Sequence, residues 1–220
     1  MSYRMLDICP APADLTILEA DLVHLQADAV GLYVVNLSIP SCVVGSGYVG
    51  TLVANGFGVL PIIVPGNTPP ANLDLVQALR DWGVPPAPVA FDLEGGSAPA
   101  LTWVQGKVDE LLAADYFPGL YGDASFQGLY GTANWRWRWL ANWTYLPGIA
   151  AGYQAQQWSN QGIAPSGIRY DVSDVEDDLV MWGRQIIAPT VPPITPLPPP
   201  ADPIPAEVSF PAVLVRPPTT

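Results

Sequence analysis

Short apolar runs recur along this chain, separated by stretches long enough to hold a helix. Residues 3–8, 29–35, 58–64 and 89–93 are such runs, and their near-continuous apolar character suits strands buried on both faces. Between them the spacing turns helical. Leu15, Leu18, Leu22 and Leu25 line one side of an expected helix over 15–26, with Asp14 as its cap. Helices are also expected over 46–55, 71–82, 98–114 and 124–130, the clearest stripe being Leu101, Val104, Val108, Leu111 and Leu112. Later strands are expected over 117–121, 137–143, 149–158 and 168–172. A last helix is expected over 174–187, capped by Ser173, because its early acids suit a helix N-terminus.

About eight alternations of strand and helix with short connections predict an α/β fold, a parallel sheet wrapped by helices. With no second-domain boundary over residues 1–187, a closed TIM-type (β/α)8 barrel is favoured over an open sheet. It is a compact one, since such barrels usually take roughly 250 residues. No Gly-x-Gly-x-x-Gly follows the first strand, which argues against a dinucleotide site.

From residue 188 the composition changes. Val191-Pro192-Pro193-Ile194-Thr195-Pro196-Leu197-Pro198-Pro199-Pro200 dictates an extended, polyproline-like course. Residues 188–220 are therefore expected to form an extended proline-rich C-terminal tail. It is either a loose linker or a tether whose apolar segment 206–215 docks as a strand on a neighbouring subunit.

Charge removes several function classes. The 220 residues carry a net charge of −12, with eight basic side chains of which Lys107 is the one lysine. Nucleic acid and anionic membrane both need a cationic face, so neither is an expected partner. Residues 1–4 lead straight into a strand without a charged, then apolar leader, and no apolar run reaches membrane-spanning length. The expectation is a soluble protein, cytoplasmic until release, that reaches an extracellular or virion-associated setting without a signal peptide. Two cysteines and one histidine leave a Cys/His zinc site short of ligands, and His24 falls in a helix, so neither a metal nor another cofactor is expected.

The candidate chemistry begins at Phe91-Asp92-Leu93-Glu94, a buried run that ends in two acids. On a strand Asp92 and Glu94 point the same way, about 6–7 Å apart along the backbone. One account is a helix cap plus a surface acid. The other is chemistry, since neighbouring carboxylates split their pKa values and divide acid and base roles. Functional groups of an eight-unit barrel lie at the C-terminal ends of its strands. That rule adds Asp7 after the first strand and Asp171 at the last, and in a closed barrel those two strands adjoin. Aromatic and amide groups fall at the same rim: Tyr121, Trp139, Trp143 and Asn142, then Gln157 and Trp158. Flat aromatic faces beside amides and carboxylates are what a sugar site needs. For Trp135 and Trp137 barrel filling is the better account, and for Trp139 and Trp158 filling and binding stand even. Cys9 and Cys42 follow neighbouring strands, where either a disulfide or two thiols would fit.

Asp7-Ile8-Cys9-Pro10-Ala11-Pro12, Val30-Gly31-Leu32-Tyr33, Cys42 and Gly56-Phe57-Gly58-Val59-Leu60-Pro61-Ile62-Ile63-Val64 resemble the glycoside-hydrolase-like domain family catalogued as domain of unknown function 1906. Phe91-Asp92-Leu93-Glu94, Gly119-Leu120-Tyr121-Gly122, Trp139-Leu140-Ala141-Asn142, Gln157-Trp158-Ser159 and Tyr170-Asp171-Val172-Ser173 are similar to the family 25 glycoside hydrolases, the lysozyme-type muramidases. The resemblance spans about residues 3–187. It implies a bacterial cell-wall glycan (peptidoglycan) as partner and substrate. It also implies Glu94 as general acid, Asp92 as stabiliser or as orienter of the substrate's acetamido group, and Asp7 and Asp171 lining the site. The muramidase pattern carries Asn where this chain has Ser173. The alternative is a non-catalytic structural or adhesion module of a phage particle, such as a minor tail protein, whose tail contacts other virion subunits. A third reading is a bacterial enzyme of sugar metabolism.

Overall fold

The computed structural model describes residues 2–94 and 99–184. The expected proline-rich tail, its docking segment and the far end of the last expected helix lie outside those residues. The described elements run β1 (Ser2–Asp7), α1 (Leu15–His24), β2 (Ala29–Asn36), a 3₁₀ turn (Pro40–Cys42), α2 (Ser46–Ala54), β3 (Gly58–Val64), α3 (Leu75–Asp81) and β4 (Pro88–Asp92). They continue with α4 (Leu101–Ala113), β5 (Phe117–Gly122), α5 (Ala124–Tyr130), β6 (Trp137–Ala141), β7 (Ala155–Ile163) and β8 (Arg169–Glu176). The strands close in sequence order into one eight-stranded barrel.

Side-chain alternation sorts each strand into an inner and an outer row. The inner row of Met5, Leu60, Ile62, Ala90, Trp137, Trp139, Ala155 and Val175 packs into one cluster that fills the lumen, so the barrel is a packed core rather than a pore. Gly119 sits opposite Trp137, and a Cβ there would lie 2.0 Å from the indole, so the glycine makes room for that ring. The outer rows pack under the helices in two clusters. Leu6, Val30 and Val172 meet Leu18 and Leu22 of α1 and Leu52 of α2. Val89, Phe91 and Leu120 meet Leu79 of α3 and Val108 of α4. Helix starts are fixed by Asp14, Asp74 and Asp123, each accepting a backbone N–H of its own first turn.

The structure departs from the sequence expectation at the last unit. β1 to β7 pair in parallel, but β8 runs antiparallel to both β7 and β1. Residues 174–176, expected to open a helix, continue β8. Ser173, expected as a cap, is a fully buried inward residue that accepts from Trp139 Nε1 at 3.1 Å. The physical reason is period two: Asp171, Ser173 and Val175 face the lumen, while Tyr170 and Val172 pack outward with the α1 layer. That pattern outweighs the preference of acids for a helix start. Among the described residues no helix follows β6 or β7.

Candidate active site at the upper rim

Strands β1 and β4 deliver Asp7 and Asp92 to the end of the barrel where the parallel strands finish, and Glu94 follows two residues beyond Asp92. β8 arrives from the opposite direction, so its beginning lies at that same rim, with Asp171 directly opposite Asp7 in the antiparallel register. Gly31 of β2 permits the close approach: a Cβ there would lie 2.9 Å from Asp7 Cβ. Asp7 is only 5% exposed; Asp92, Glu94 and Asp171 are half-buried. Asp92 is not a helix cap, because its Oδ1 accepts Glu94 N–H at 3.0 Å and α4 begins later with no side-chain cap.

Four carboxylates in one partly dehydrated rim raise one another's proton affinity. Burial, then the charges of Asp171, Asp92 and Glu94, pushes Asp7 well above the carboxylate range. Burial lifts Asp92 to about 7; the Glu94 N–H opposes this, and the Glu94 and Asp171 charges add to it. Glu94 is raised mainly by burial and by Asp123, with the Asp123 backbone and the Tyr121 hydroxyl acting the other way. Asp171 is raised by burial and relieved in part by the Gln157 amide. Tyr33 and Tyr121 complete the ring of titratable groups, both pushed upward by burial and by the same four acids. Among the described residues, no cluster of His, Cys, Asp and Glu is arranged to hold a metal ion.

The expected binding residues divide. Tyr121 and Gln157 face inward, and the tyrosine hydroxyl donates to Gln157 Oε1. Asn142 is exposed at the rim, beside an open hollow of about 450 Å³ lined also by Asp123 and Ser125. Trp139 is 1% exposed and packs against Tyr121, its register partner on β5, with its indole bonded to Ser173, so it forms buried floor and not a binding face. Trp158 alternates away from Gln157: it packs in the outer layer, with Arg4 over its ring at 5.8 Å. Arg138 donates to Gly131 O at 3.0 Å on the outer side, and His24 is exposed on α1. Trp143, beyond the end of β6, is the aromatic that occupies the rim: it is 51% exposed and its Nε1 donates to Gln157 Oε1 at 3.2 Å. Trp143 was expected among the rim aromatics, whereas Tyr33 was not singled out from sequence. Period two on β2 points Tyr33 inward, whereas Trp143 is placed by a loop. Cys9 and Cys42 are joined as a disulfide just beyond Asp7, with Cα atoms 4.9 Å apart.

No family model matches the sequence, and no curated protein matches it. Solved structures do. An uncharacterised protein of B. stearothermophilus superposes with a TM-score of 0.63 at 18% identity, over 80% of this chain and 97% of that one. A family GH25 lysozyme from Aspergillus fumigatus gives 0.57 at 14% identity, over 80% and 94%. The chain has the fold of the family 25 glycoside hydrolases. A further match is the modular autolysin LytC from Streptococcus pneumoniae, solved with a synthetic peptidoglycan ligand, with a TM-score of 0.55 at 15% identity over 79% of this chain and 46% of that one. On this GH25-type barrel, the acids stand at the end where barrel enzymes of this architecture carry their chemistry.

Proposed function

We propose that the barrel is a muramidase-type glycosidase acting on bacterial cell-wall glycan. The observation that carries the reading is the convergence of Asp7, Asp92, Glu94 and Asp171 on one rim of a GH25-type fold. A pocket of carboxylates with raised proton affinity suits acid-assisted cleavage of a glycosidic bond, where one group gives a proton to the leaving oxygen and another stabilises the charge that develops on the sugar.

Glu94 is the general acid. It stands outermost of the β4 pair, and burial keeps its proton available. Asp92, fixed by the Glu94 N–H, faces the sugar ring and stabilises positive charge or orients the substrate's own acetamido group. Asp7 and Asp171 line the floor beneath them. The exposed face of Trp143 and the hollow beside Asn142 hold neighbouring sugars. The ligand in the autolysin structure supports peptidoglycan as the substrate class.

The test is incubation of the protein with purified bacterial walls, following both co-sedimentation and release of soluble muropeptides. Release with new reducing ends is expected. Neither binding nor release from walls of several peptidoglycan types would overturn the reading, and binding without release would leave a glycan-binding module. The proline-rich composition of residues 188–220 favours a barrel tethered within a larger assembly such as a phage tail; a chain truncated at residue 187 should then stay folded but fail to incorporate.

A further inference from the structure

Asp7 and Asp171 are directly opposed on antiparallel strands, with both side chains on the inner face. Opposed residues of this kind have Cβ atoms roughly 4.5–5.5 Å apart, and two buried carboxylates at that separation do not both ionise freely. Such a pair favours holding one proton over full ionisation, and the surroundings of the two are unequal. Asp7 is the more deeply buried, and its Oδ2 has no hydrogen-bond partner. Asp171 is half-buried and lies on the same inner face of β8 as Ser173, whose β7 register partner is Gln157.

Gln157 is 0% exposed, and chemistry distinguishes its two ends. Trp143 Nε1 and the Tyr121 hydroxyl both meet one end of the amide. An indole N–H can only donate, so that end must be the oxygen. The NH₂ end is thereby turned away from Trp143. Its Nε2 is buried with no hydrogen-bond partner, and Asp171 is the carboxylate whose ionised form the amide favours. Contacts of this sort are often long in an empty site and tighten when substrate binds.

We propose that Gln157 is a positioning residue: Trp143 and Tyr121 lock its amide so that Nε2–H serves Asp171, which keeps Asp171 ionised and leaves the shared proton on Asp7. The other groups facing the pair are Asp92 and Glu94 from β4 and beyond, Tyr33 from β2 and Tyr121 from β5. All are acids or phenols. Among the described residues no cation acts on either carboxylate, so no basic group sorts the proton in place of the amide. The directions agree: every influence on Asp7 raises it, whereas Gln157 opposes the effect of burial on Asp171. The proton placement deepens the glycosidase reading, and its primary readout does not need turnover.

The experiment is a ¹³C NMR titration of the side-chain carboxyls in wild type, Gln157→Met and Trp143→Phe. Methionine fills the amide's space without its donor, and Trp143 is half-exposed, so phenylalanine there leaves the core intact. The Asp171 midpoint is expected to rise by about one pH unit in Gln157→Met, about tenfold in proton affinity, and by less in Trp143→Phe. An unmoved midpoint in Gln157→Met overturns the proposal, as does a shift there with none in Trp143→Phe. In turnover, the acid limb of kcat/KM should move to higher pH in Gln157→Met, and a loss uniform across pH contradicts it. A shifted Asp171 in a protein that releases no muropeptides would support the proton placement and sink only the glycosidase reading.

Discussion

At the lower end of the barrel, where the parallel strands begin, a hollow of about 410 Å³ is lined by Pro88, Phe117, Arg136, Trp137, Leu179 and Val180. At the upper end a hollow of about 450 Å³ opens beside Asp123, Ser125 and Asn142. The volumes are alike and the chemistry is not. Below, the Tyr3 hydroxyl donates to Leu179 O at 2.6 Å, Trp137 Nε1 donates to Phe117 O at 2.8 Å, and Arg184 lies over the Tyr3 ring while reaching Asp177 at 3.3 Å. Above, four acids that do not themselves line the hollow crowd together at the strand ends, and among the described residues no cation acts on them. A rim that holds like charges at the expense of stability is better explained by chemistry than by folding, and space alone does not make a site.

The largest effect is expected at Glu94. Glu94→Gln keeps the shape and removes the acid, so muropeptide release should fall by about 10²–10⁴-fold, while the melting temperature at pH 7 should be no lower than that of wild type, because burial raises the Glu94 proton affinity. Next in size is the disulfide that ties Cys42 to the chain just beyond Asp7. The link closes a sequence separation of 33 residues, and Cys9→Ala with Cys42→Ala should lower unfolding stability by about 2–4 kcal/mol.

Asp92→Asn sharpens the contrast in the opposite direction. Asp92 in the folded protein titrates near 7, above the ordinary carboxylate value, so between about pH 4 and 7 the native state binds more protons than the unfolded one. Stability therefore falls as pH rises through that window. The asparagine variant escapes this and still offers an oxygen to the Glu94 N–H. In denaturant titrations it should be more stable than wild type by on the order of 2 kcal/mol at pH 7, with the difference gone near pH 3, while muropeptide release is lost. The smallest effect belongs to the lower end: Tyr3→Phe removes one hydrogen bond and should cost about 1 kcal/mol without altering hydrolysis.

Much of this was legible from residue patterns. Apolar runs ending in acids located β1 and β4, but β4 stops at Asp92, so the strand alternation expected to align Glu94 with it does not extend that far. Asp171 was placed correctly for an incomplete reason. It was expected at the end of a parallel strand, but it lies near the start of an antiparallel one, and both routes lead to the rim beside Asp7. The strand's direction was hidden because a parallel and an antiparallel strand read alike in sequence, and the acids after Ser173 imitate a helix start. The tryptophans were harder. Trp139, Trp143 and Trp158 are chemically equal, and strand phase separates the floor from the outer layer but does not place the rim. Trp158 follows inward Gln157 and so must face out, whereas Trp143 reaches the rim through a loop whose path no periodicity encodes.

In the proposed reading the upper-rim carboxylates carry hydrolysis of cell-wall glycan, with Glu94 giving the proton. The most direct measurement is muropeptide release from purified walls by Glu94→Gln against wild type, at equal concentrations of folded protein. A wild type that releases muropeptides and a variant reduced by at least about 100-fold is the predicted result. Equal release by the two proteins would contradict it.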